Sequence, residues 1–228
     1  MTSNFSGAFA RYQQGVRAAI THEDRSLTPK SLIARRLSMI EQANANLSAV
    51  IPTVPEIPGS RAEILDSIRP TTADEVAVAR HQRERIQADL DRGRRPEQII
   101  ASADLRTIVA LLDWLPTMPG VKDSNHRDEI QAEIEAIAFQ RLADLGHEPA
   151  VQRLQAEQEI AAPTAVARVF TEALAGPITT SAWQDLHRAD PEMYREIQAG
   201  EIPGLADEAR RFGVSAAREA EADRFDYS

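Results

Sequence analysis

Apolar positions in this chain recur at spacings of three and four, the repeat that stacks side chains on one face of a helix. Residues 5 to 20 open the series, with Phe5, Phe9, Tyr12, Val16 and Ile20 in one aromatic-rich stripe. Thr28 before Pro29 is an N-cap followed by proline at the first helical position, and Leu32, Met39, Ile40, Ala43 and Leu47 carry a second helix to about Val50. Pro52, Pro55 and Pro58, closed by Gly59, make 51–60 an extended linker. Ser60 with Glu63 and Thr72 with Glu75 match the capping box and predict a short helix ending before Pro70 and a long one to about Arg92.

Pro96 starts another turn, and 103–115 is apolar nearly all round, which predicts a helix buried on most sides at the centre of the core. After a loop at 116–125, Asn125 is expected to cap a helix to Leu145. Pro149 starts the next, which Pro163 interrupts or restarts before Gly176. Short helices follow: one from Thr179 or Thr180 carrying Trp183 and Leu186, one capped by Asp190 carrying Met193, Tyr194 and Ile197, and one after Gly204. No stretch alternates with period two. The expectation is an all-α protein, a multi-helix bundle without a sheet. Its parts are an N-terminal helical arm (1–50), a proline-rich linker (51–60), a central helical domain (61–176), a short-helix C-terminal module (177–213) and an acidic tail (214–228).

Composition narrows the chemistry. The 228 residues include no cysteine, so disulfides, thiolate metal sites and cysteine nucleophiles are excluded. The net charge of −9 is unevenly spread: residues 1–127 carry 17 basic and 15 acidic side chains, and 128–228 carry 9 and 20. An acidic half repels phosphate, so nucleic acid is an unfavoured partner. No apolar run is long enough to span a membrane, and no charged segment followed by an apolar one opens the chain. This predicts a protein of the bacterial cytoplasm or of a virion.

Motifs for catalysis are missing from the sequence. The five histidines are scattered, no glycine-rich phosphate loop or serine elbow is present, and the carboxylate pairs lack the Glu-x-x-His partners of a di-iron bundle. Ser181, Asp185, His187 and Asp190 are the nearest approach to a triad, but all lie in one local stretch, where helix capping explains them. Neither catalytic, cofactor-binding nor metal residues are assigned, and the protein is expected to be no enzyme. Arg80, Arg83, Arg85, Arg92, Arg94 and Arg95 form the densest positive segment, though acidic residues interleave with them.

Three arginines stand out by position. Arg83 lies within the stripe of Val76, Ala79, Ile86 and Leu90; Arg36 within that of Leu32, Met39, Ala43 and Leu47; Arg141 within that of Ile130, Ile134, Ile137 and Leu145. Such a residue either lays its stem on apolar surface and reaches water, or pairs across an interface. Together with Phe5, Phe9, Tyr12, Trp183 and Tyr194 they are the interface candidates.

The segment Thr180–Gly200, TSAWQDLHRADPEMYREIQAG, joins a Trp-x-x-Leu helix to Asp-Pro-x-x-Tyr-x-x-Ile. It resembles short helical segments near the C-termini of structural and assembly proteins of tailed bacteriophages. The resemblance covers about a tenth of the chain and implies a class: a helical particle protein working by contacts with itself or with a larger assembly such as a capsid or connector. The alternative is a small bacterial regulator or adaptor that binds a protein or nucleic acid.

Overall fold

The computed structural model describes residues 3–225, with side chains described for 4–216. Over that span the protein is all-α, with twelve α-helices, one 3-10 turn and no strand among the described residues. In chain order the helices are α1 (Ser3–Ile20), α2 (Pro29–Ser48), α3 (Arg61–Ser67), α4 (Ala73–Asp91), α5 (Pro96–Ala101), α6 (Leu105–Trp114), α7 (Pro119–Lys122), α8 (Arg127–Asp144), α9 (Glu148–Ala175), α10 (Thr180–Ala189), α11 (Pro191–Ala199) and α12 (Leu205–Phe225).

Most starts follow the sequence signals. Thr28 Oγ1 accepts from the Ser31 amide, and Asp190 accepts from the amides of Glu192 and Met193. Ser60 and Thr72 each form a complete capping box with Glu63 and Glu75.

Four features differ from the sequence expectation. Asn125 does not cap α8; His126 holds the N-cap position without a side-chain cap, and its amide donates to Ser124 Oγ. The loop at 116–125 contains the 3-10 turn Leu115–Thr117 and the single turn α7. α9 runs unbroken through Pro163, at the cost of the amide that would have bonded to the Glu159 carbonyl. Likewise α12 continues past Gly213 into the tail instead of ending short, because neither proline nor a left-handed glycine stops it. The last residues of that tail, 226–228, lie outside the described residues.

The chain divides into two compact units in a way the linear domain reading did not give: unit 1 is 1–55 with 160–228, and unit 2 is 56–159. The two parts of α9 are thus assigned to different units. The N-terminal helices do not stand apart as an arm, because their apolar stripe belongs to the core of unit 1. There Phe9, Leu47, Val166, Phe170, Leu186 and Ile197 are fully buried together. Phe9 stacks on Phe170, and Trp183 meets both Phe9 and Tyr194 edge-on.

Unit 2 has its own core, built on α6. Ile108, Ala110, Leu111 and Leu112 are buried against Ala79 and Ile86 of α4, Ile99 and Ile100 of α5, and Ile134, Ala138 and Leu142 of α8. Phe139, on the far side of the α8 stripe, is buried as well, beneath the Arg61 guanidinium 5.1 Å from its ring centre. Arg61 also bonds Glu157, and Arg153 joins Glu157 while donating to the carbonyls of Ile57 and Gly59. The end of the proline strap is therefore fastened by its backbone to the first part of α9.

Seen by unit, the charge asymmetry changes. Unit 2 carries 13 basic and 20 acidic residues, and unit 1 carries 13 and 15. The acidic excess along the sequence is mainly a property of unit 2.

Candidate functional site

Unit 2 leaves part of its apolar surface uncovered. α6 presents apolar residues on more faces than its neighbours cover: Ile108 and Leu111 are inside, but Leu105 is 45 % exposed and Val109 is half-buried. On the facing side of α4, Ala79 points into the core while Val78, one residue away and about 100° around the helix, is 46 % exposed. Between them lies an open groove of about 400 Å³ lined by Ile68, Pro70, Val78, Ala79, Leu105 and Val109.

Charge stands at the edges of this groove and not on its floor. Asp74 and Glu75, in the first turn of α4, lie on one side, and Arg106 of α6 on the other. Glu75 is already committed: its carboxylate accepts from the amides of Thr71 at 2.9 Å and Thr72 at 3.0 Å, which holds its pKa down at about 2. Asp74 and Arg106 are exposed. The groove therefore has an apolar floor and a rim carrying both signs.

The interface candidates read from sequence lie elsewhere. Phe5 and Phe9 pack on Phe170, and Tyr12 donates its hydroxyl to the Ala173 carbonyl at 2.9 Å. Trp183 and Tyr194 form an edge-on pair at 5.8 Å. Arg36 donates through Nε and Nη2 to the His22 carbonyl just beyond α1, at 2.9 and 2.6 Å, and its guanidinium lies over the Phe212 ring. Arg83 pairs with Asp113 of α6, and Arg141 donates to the Ala103 carbonyl at 3.2 Å. Each of these eight side chains has a described partner in its own unit.

Other sequence features also find local roles. Arg92 and Arg94 both pair with Asp89, and Arg94 reaches on to the Gln98 carbonyl and Ser102. Arg168 binds Ser181 and Asp185, His187 packs on Tyr194, and Asp190 caps α11. Ser181 and Asp185 thus share Arg168, while His187 and Asp190 are engaged by other groups. No group of three or more potential metal ligands stands together among the described residues, and no described helix is long and apolar enough to cross a membrane.

Comparison with family models, curated proteins and solved structures finds no match to this chain.

The groove residues were missed in the sequence because a helix apolar nearly all round reads as buried all round. The signal was present in two places: α6 has more apolar faces than a core requires, and Val78 falls outside the stripe of Val76, Ala79, Ile86 and Leu90.

Proposed function

We propose that this protein is a non-enzymatic structural or assembly protein that associates with further copies of itself through the groove between α4 and α6. The observation that carries this reading is the apolar groove of unit 2, with Val78 and Leu105 about half exposed at its edges. The rim supports a second copy as occupant. A two-fold interface needs a surface that complements itself, and a rim with Asp74 on one side and Arg106 on the other does so when Arg106 of one copy faces Asp74 of the other.

Magnitude sets the kind of association. Full burial of a Val or Leu side chain is worth about 1.5–3 kcal/mol, so covering the exposed halves of four such side chains, two per copy, yields roughly 3–6 kcal/mol. Association costs about 4–15 kcal/mol in lost rigid-body freedom. One such contact alone is weak, and it becomes strong only where several act together, which suits a component of a larger particle. The resemblance of Thr180–Gly200 to segments of tailed-bacteriophage proteins supports placing that particle among phage or prophage structures. A regulator that binds nucleic acid is disfavoured because Arg92 and Arg94, in its most basic segment, are already paired with Asp89.

Light scattering over a dilution series tests the reading. The weight-average mass is expected to rise with concentration, and Leu105→Asp with Val78→Asp should hold the protein at monomer mass while leaving its helical circular dichroism unchanged. A wild-type mass that stays monomeric up to millimolar concentration overturns self-association through this groove.

A further inference from the structure

Unit 1 contains a half-open cavity of about 300 Å³ walled by α1, α2, the end of α9 and the turn leading into α12. Val16, Ile40 and Leu205 supply apolar wall, and the titratable or charged side chains that face it are Tyr12, Glu201, Asp207 and Arg210. Three of these four are engaged. The Tyr12 hydroxyl is spent on the Ala173 carbonyl. Arg210 stands 4.0 Å from the Asp207 carboxylate and lies directly over Gly176, so closely that a Cβ at 176 would fall 2.5 Å from its Nη2.

Glu201 is different. It is half-buried, and no described residue gives its carboxylate an ion pair or a hydrogen bond; burial alone pushes its pKa above the ordinary glutamate value. A carboxylate withdrawn from water without a partner weakens the fold. One part of its surroundings shares its sign: the residues ending α9, Ala173 to Ala175, form part of the same wall, and a helix C-terminus carries partial negative charge. The guanidinium of Arg210 resting on Gly176 is a cation already drawn to that helix end.

We propose that this cavity binds an alkyl cation, a primary amine or guanidinium on a short aliphatic chain, with the charged head at Glu201 and the chain along Val16, Ile40 and Leu205. The same chemistry is offered by a small free amine and by a lysine or arginine side chain presented by a protein. Opposite charge at Glu201 satisfies the lone carboxylate, and the Tyr12 ring adds an aromatic surface suited to a cation.

Amide chemical shifts of Ile202, Gly204 and Gly176 in the full chain, titrated at neutral pH, provide the test. One probe is agmatine, which has no peptide backbone; the other is N-acetyl-arginine N′-methylamide, which has one. Saturable binding with a dissociation constant on the order of 1 mM or tighter is expected, weakened at least tenfold by Glu201→Gln. That variant removes an uncompensated charge and keeps the shape, so it is expected to fold, as its amide spectrum will report. Binding of the blocked arginine assigns the cavity to a side chain, and binding of agmatine alone assigns it to a free amine. Failure of both probes to saturate, or equal binding by Glu201→Gln, overturns the proposal.

Discussion

The ring of Phe9 lies on the ring of Phe170, with centroids 5.8 Å apart and planes 14° from parallel, although 161 residues separate them in the chain. Both side chains are fully buried. This one contact makes α1 a core element of unit 1 and not an appendage, since its removal would open the middle of the Phe5, Phe9, Phe170 and Trp183 cluster.

Phe9→Ala should therefore destabilise unit 1 by about 3–5 kcal/mol, the usual cost of deleting a buried phenyl ring and leaving part of its volume empty. Trp183, which meets Phe9 edge-on at 6.4 Å, reports the change. Urea unfolding followed by tryptophan fluorescence in a Trp114→Phe background checks it, because the chain has only two tryptophans. A loss below about 1 kcal/mol would return α1 to the status of a loosely attached arm.

The α4 capping box gives a pH dependence of known sign. Amide donors at Thr71 and Thr72 hold the folded pKa of Glu75 at about 2, below its ordinary 4.5. The ionised form is favoured by folding, so the contribution is complete above pH 4.5 and disappears as pH falls toward 2. Glu75→Gln should lower stability at neutral pH and flatten its decline through that acid range. Thermal melts of both proteins at several pH values measure the difference.

Glu201 has the opposite sign. Its raised pKa means that folding disfavours the ionised carboxylate, so wild-type stability falls as pH rises through the titration of this group. Glu201→Gln should melt at a higher temperature than wild type at neutral pH, with the gap closing in acid where the wild-type carboxyl is protonated. Sites kept for binding commonly carry such a stability cost. A variant less stable than wild type at neutral pH would indicate that the carboxylate serves the fold instead.

What could be read along the chain was what neighbouring residues decide. Thr28, Ser60, Thr72, Thr179 and Asp190 cap helices because the groups they satisfy lie within three residues. Asn125 failed because Ser124, one residue earlier, satisfies the His126 amide and lets the helix begin without it. Pro163 was ambiguous, since a proline inside a long helix removes one bond and neighbouring packing decides whether the helix continues.

Long-range pairing was out of reach. Spacing showed that Arg36, Arg83 and Arg141 lie within apolar stripes; it could not show that the His22 carbonyl, Asp113 and the Ala103 carbonyl are their partners. Nor could it show that residues before 55 and after 160 share a core, or that Leu105 is left outside one. The candidate groove was least legible of all, because exposure of an apolar side chain is decided by what fails to pack on it.

Because the chain contains no cysteine, a single introduced thiol reports self-association through the groove without interference. Leu105→Cys, placed at the groove edge, should form disulfide-linked dimers rapidly under mild oxidation. Ala136→Cys, on the exposed side of α8 in the same unit, should remain largely monomeric. Faster dimerisation at 105 than at 136, abolished by Val78→Asp, is the result expected of a self-associating groove. Equal rates at the two positions would contradict it.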